Sequence, residues 1–123
     1  MLTTITARTT VLGLHHWPSA PTHRAYLATP HRHEFEATAE VVVGHGDREV
    51  EFHDLQDTLR ELLLAGGTAC GAGGVLTDFG AQSCEMMAAG LYEDLTTLGY
   101  QPVRVTVSED GQHDGTVYAG AVS

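Results

Sequence analysis

His31 and His33 are the residues whose spacing says most about chemistry. Two positions apart in an alternating stretch, they fall on one face of a strand with Cβ atoms about 7 Å apart. A single metal ion can accept both imidazoles. A third imidazole would complete a three-ligand site whose fourth position is left for water or substrate, the arrangement of catalytic zinc. His15 or His16, at the end of the preceding apolar stretch, can supply it. The blander interpretation is a set of surface or satisfied core histidines. Against it, His31 and His33 share a face with Phe35 and Val41, and titratable rings on an otherwise apolar face need a partner.

The elements that must position these rings follow from periodicity. Thr3 to Leu14, rich in Thr, Val, Ile and Leu, is predicted as a strand, stopped by the Pro18 and Pro21 segment. His31 to Val43 alternates cleanly, with Phe35, Ala37, Ala39, Val41 and Val43 on the histidine face and Arg32, Glu34, Glu36, Thr38 and Glu40 on the other. Gly44 to Asp47 is a turn, and Arg48 to Phe52 is expected to pair back as a hairpin arm. A helix capped by Asp54 then carries Leu55, Leu59, Leu62 and Leu63 at helical spacing and ends at Gly66-Gly67. Thr68 to Gly80 is Gly-rich and irregular. Ser83 caps a second helix with the stripe Cys84, Met87, Ala88, Leu91 and Leu95, closed by Gly99. Val103 to Val107 and Thr116 to Val122 are the last strands, joined by a turn over Asp110 to Gly115. Strand pairs separated by helices, with short turns, give an α+β fold with an antiparallel sheet of about four strands and two helices on one face.

The 123 residues fit one domain, 1–123, long enough to bury a core without disulfides. Six Arg and no Lys against sixteen Asp and Glu leave a formal charge of −10, which argues against nucleic acid or an anionic membrane as partner. The two cysteines are too few for a disulfide framework. The chain opens without a cationic segment leading into an apolar one, and no apolar run approaches the roughly 18 residues of a membrane span. Together these features predict a cytoplasmic protein with reduced thiols.

Several motifs, taken in order, resemble the 6-pyruvoyl-tetrahydropterin synthase and 6-carboxytetrahydropterin synthase family. They are His15-His16-Trp17-Pro18, His31-Arg32-His33-Glu34-Phe35, Glu51-Phe52-His53-Asp54-Leu55, Gln82-Ser83-Cys84-Glu85, Val105-Thr106-Val107-Ser108-Glu109 and Gly115-Thr116-Val117-Tyr118-Ala119-Gly120. The resemblance runs over nearly the whole chain. It implies the T-fold, whose small sheets close into a barrel of several subunits, from trimer to hexamer. It also implies zinc on His15, His31 and His33, with Glu109 gripping a pterin at the far end of an aromatic-sized slot. The activity implied is that of a lyase on 7,8-dihydroneopterin triphosphate or a related pterin, as in tetrahydropterin or 7-deazaguanine (queuosine) biosynthesis.

Two of the family's acid–base positions are changed. Leu27 stands four residues before His31, where the family carries its catalytic Cys. The segment Gly66 to Gly71 holds no His where an Asp-His pair is expected. Such groups are each worth roughly 10²–10⁴ in rate. Cys70, in the Gly-rich stretch, and His113, four residues past Glu109, are the candidate replacements; His23 is a further candidate base. The changed positions also admit a catalytically inactive or rewired zinc- and pterin-binding protein with a binding or structural role.

Overall fold

A computed structural model describes residues 1–120. Strands β1 (Thr3–His15) and β2 (His31–Val43) form its spine, pairing antiparallel from Thr3 opposite Val43 to His15 opposite His31. Helix α1 (Phe52–Ala65) follows, then the short strands β3 (Thr68–Cys70) and β4 (Leu76–Asp78), helix α2 (Cys84–Thr97), and strands β5 (Pro102–Glu109) and β6 (His113–Tyr118). The strands make one sheet in the order β3-β4-β1-β2-β5-β6.

The alternation in β2 decides which face is buried. Phe35, Ala37, Ala39 and Val41 are fully buried, while Arg32 and Glu34 are exposed. Against this face pack Leu55, Leu59 and Leu63 of α1 and Met87, Ala88, Leu91 and Leu95 of α2, with Val105 and Val107 extending the core along β5. The opposite face is polar. There Glu40 binds the Thr4 hydroxyl and the Arg104 guanidinium, both at 2.8 Å, and Thr106 binds Thr116. The expected α+β class and both helix stripes are therefore borne out.

Four local expectations are corrected. Arg48 to Phe52 is not a hairpin arm, because Glu51 caps α1. Its carboxylate accepts the amides of His53 and Asp54 at 2.7 and 3.3 Å, which draws Phe52 into the helix and places Asp54 in the first turn. The partner of β2 on that side is β5 instead. The Gly-rich stretch is not irregular throughout, since β3 and β4 form a small hairpin on the far edge of β1 and bring the sheet to six strands. The sheet is not purely antiparallel: β4 runs parallel to β1, Gly13 opposite Thr77. A side chain at Gly13 would meet the Thr77 carbonyl and the Phe79 ring at 2.7 Å, so this close approach needs glycine. Finally, β6 begins at His113, leaving a turn of Asp110, Gly111 and Gln112. Of the strand expected to reach Val122, β6 covers Thr116 to Tyr118, and positions 121 and 122 lie outside the described residues. Among the described residues, no helix is long and apolar enough to cross a membrane.

Candidate metal centre

The register of β1 against β2 builds the site. His15 and His31 face each other as the last pair of the ladder, and His33 lies on the same face two residues on. The three ring centroids stand 4.6, 4.9 and 5.1 Å apart, each pair edge to face, and one nitrogen from each ring lies within 4.8 Å of the others. Four ligands held tetrahedrally at about 2.0–2.1 Å lie about 3.3 Å apart, so modest ring rotation brings this set onto one ion. Phe35 packs edge-on against His15 and His33 and separates the cluster from the core.

The groups behind the rings settle their orientation. His15 Nδ1 bonds the Gln82 carbonyl at 2.9 Å, His31 Nδ1 bonds the Thr29 carbonyl at 2.9 Å, and His33 Nδ1 bonds the Asp110 carboxylate at 2.5 Å. All three partners only accept, so each neutral ring carries its proton on Nδ1 and offers the Nε2 lone pair, as metal-binding histidines do. Local sequence explains the partners. Thr29 precedes Pro30 and is held extended, which suits the residue before a proline. Gln82 is fixed ahead of α2 by hydrogen bonds that its side-chain amide donates to the carbonyls of Gly66 and Phe79. Asp110 also accepts the Glu34 amide at 2.8 Å; that bond first, and His33 second, hold its carboxyl below the usual value. Burial above all pulls the His15 imidazole below its usual value, with the Gln82 carbonyl opposing, and this favours the neutral form a metal requires. The donor set thus fits zinc.

Glu109 ends β5 opposite Phe35. Its position corrects the expected geometry: no slot separates it from His15 or His33. Its Oε2 lies 3.2 Å from His15 Nε2 and 3.5 Å from His33 Nε2. His113, opposite Glu109 across the β5–β6 ladder, places Nδ1 3.8 Å from Oε1. These residues, except His33, border a cavity of about 390 Å³ whose apolar wall includes Trp17, Leu27 and Cys84. Its size is that of a small-molecule site.

Cys70 does not join them. It pairs with Leu76 on the outermost strand, and strand spacing puts it roughly 14 Å from His15. Strand β3 runs away from the histidine end of β1, from Thr68 opposite Asp78 to Cys70 opposite Leu76, and carries Cys70 with it. His23 lies in the exposed 3₁₀ turn Thr22–Ala28 and does not border the cavity.

Three contributors were not singled out in the sequence for the roles they take. Asp110 orients His33 across 77 positions. Cys84, expected only in the core, also borders the cavity with Sγ 3.9 Å from Glu109 Oε2. Burial, then the Glu109 charge, pushes its thiol up to about 12, so it is a neutral thiol rather than a thiolate. His16 borders the cavity as well, with a buried Nδ1 that has no partner among the described residues.

No family model and no curated protein matches this chain. Solved structures do. An uncharacterized protein, WS1659 from Wolinella succinogenes, is similar with a TM-score of 0.66 at 11% identity, over 98% of this chain and 99% of that one. The 6-pyruvoyl tetrahydropterin synthase of Caenorhabditis elegans is similar with a TM-score of 0.65 at 12% identity, over 98% of this chain and 97% of the synthase. The chain therefore has the T-fold of pterin synthases over nearly its whole length.

Proposed function

We propose that this protein is a zinc-dependent lyase of the pterin-synthase kind, acting on 7,8-dihydroneopterin triphosphate or a related pterin. The observation that carries the proposal is that three imidazoles, each bonded to an acceptor through Nδ1, bring one nitrogen apiece within 4.8 Å of one another at the edge of a cavity of small-molecule size. His15, His31 and His33 would hold the metal, which when bound supplies a Lewis acid that lowers the pKa of substrate hydroxyls. Glu109 would accept N–H groups from the guanidine-like edge of the pterin in a charge-assisted pair. Trp17 and Leu27 provide apolar wall for a planar ring. His113 is the exposed titratable group beside Glu109 and the candidate to move a proton. The edge strands β3 and β6 each leave one side of the sheet unpaired, which supports assembly of several copies into a barrel.

A second reading, a zinc- and pterin-binding protein without turnover, is favoured by Leu27. It borders the cavity where the family's reaction would need a thiol, Cys70 lies far away, and Cys84 is held protonated. One experiment separates the two. Zinc-loaded protein is incubated with 7,8-dihydroneopterin triphosphate, products are identified by mass, and binding of dihydroneopterin is measured by calorimetry. Product formation supports the lyase. Binding without product supports the second reading, and neither would overturn the pterin assignment. Glu109→Gln should weaken pterin binding by roughly 10- to 150-fold, the loss of one charge-assisted hydrogen bond.

A further inference from the structure

Glu109 stands closer to His15 and His33 than an open three-ligand centre requires. His15 and His33 each give their Nδ1 proton to an atom that can only accept, so in the neutral rings that a metal requires their Nε2 atoms present lone pairs. Both lone pairs face the same carboxylate oxygen, Oε2 of Glu109, at 3.2 and 3.5 Å. Three acceptors around one point repel unless positive charge lies among them. The Cys84 thiol also reaches Oε2, at 3.9 Å, but brings no charge, and His113 lies on the Oε1 side. The two separations bracket the roughly 3.3 Å between neighbouring ligand atoms of a tetrahedral ion with arms of about 2.0–2.1 Å.

We propose that Glu109 Oε2 is the fourth ligand of the metal held by His15, His31 and His33, so that the resting centre is closed. This rests on the histidine metal centre of the preceding section and not on the identity of the substrate. A closed centre binds its metal more firmly and offers no free position. Any incoming ligand oxygen would then have to displace the carboxylate, which would be freed to accept N–H groups. Metal and organic ligand therefore compete for one side chain, an arrangement that an open site with a distant Glu would not have.

The test uses metal-free wild type, Glu109→Gln and the double variant His31→Ala/His33→Ala, each titrated with cobalt(II). The d–d absorption of the cobalt is read, and zinc affinity is then measured by competition with a chromophoric chelator. Wild type should give the intense spectrum of four-coordinate cobalt. Glu109→Gln should give a weaker spectrum, as water enters and coordination rises, and should bind zinc at least about tenfold less tightly, since even groups behind the ligands are worth that much. Glu109→Asp, which keeps a shorter carboxylate, should fall between them. Circular dichroism of the metal-free variants separates a lost ligand from a lost fold, and Glu109→Asp decides the matter if Glu109→Gln does not fold. If cobalt spectrum and zinc affinity are the same in wild type and Glu109→Gln, while the double histidine variant loses metal, Glu109 only pairs with the rings. The proposal then falls and the histidine centre stands. If wild type binds neither metal, both fall.

Discussion

Asp110 is the most informative group to perturb, because it touches the ligand set without belonging to it. Its Oδ2 accepts the His33 Nδ1 proton at 2.5 Å and its Oδ1 accepts the Glu34 amide proton at 2.8 Å. It sits at φ 55°, where Asn is tolerated but Ala would add strain of about 1–2 kcal/mol. Asp110→Asn therefore keeps shape and backbone while removing the charge, and leaves one carbonyl oxygen for two donors. A hydrogen bond to a charged group is worth about 1.5–3 kcal/mol. The Asp110 side chain is 43% exposed, so water replaces part of what is lost and the lower end applies. About 1.5 kcal/mol is roughly tenfold in zinc affinity. Asp110→Gly, which tolerates the positive φ and removes both bonds, should approach about 100-fold, the upper range for groups behind metal ligands. Competition against a chromophoric chelator at fixed pH reads both, with circular dichroism as the fold control. Zinc affinities within about twofold of wild type in both variants would mean that His33 needs no orienting partner, and the account of the ring tautomers would be wrong.

Three further outcomes are expected. Arg104, then Thr4, hold the Glu40 carboxyl below its usual value of 4.5, so its contribution to stability is present above that pH and is lost as pH falls through the lower folded value. Glu40→Gln should cost about 1 kcal/mol in urea unfolding at pH 7, and the two curves should converge as the pH drops past 4.5; a gap independent of pH would exclude the ion pair as its source. Because the Cys84 thiol is pushed up to about 12, iodoacetamide at pH 8 should leave it unmodified in the native protein and label it after denaturation, by peptide mass analysis; rapid native labelling would contradict its burial. Light scattering should find a trimer, tetramer or hexamer, since β3 and β6 leave ladder groups unpaired, and a monodisperse monomer would count against barrel assembly.

Much of the site was legible because the signals that carry it are local. Period-two alternation over His31–Val43 places His31, His33 and Phe35 on one face whatever the strand pairs with, and the helix stripes of α1 and α2 need only 3.6-residue spacing. Local signals also misled. Arg48 to Phe52 has the look of a hairpin arm, yet the Glu51 carboxylate satisfies the first amides of a helix instead. The stretch from Thr68 to Gly80 is broken by four glycines, which hide two strands of three residues each, and β4 joins the sheet because Gly13 lets it lie against β1.

Residue order and periodicity supply the candidate ligands: two histidines on one face, a third at the end of the neighbouring strand, and a carboxylate at the end of a later one. Their relation in space comes from packing. His15 meets the Gln82 carbonyl across 67 positions and His33 meets Asp110 across 77, contacts that exist only once β1, β2, β5 and the start of α2 share one end of the sheet. The same packing brought Glu109 to 3.2 Å from His15 and carried Cys70 to the far edge. Periodicity assigns a side chain to a face, because that depends on the backbone of one element. Distances between faces of different elements depend on register and on the route of the chain between them, which no local pattern encodes.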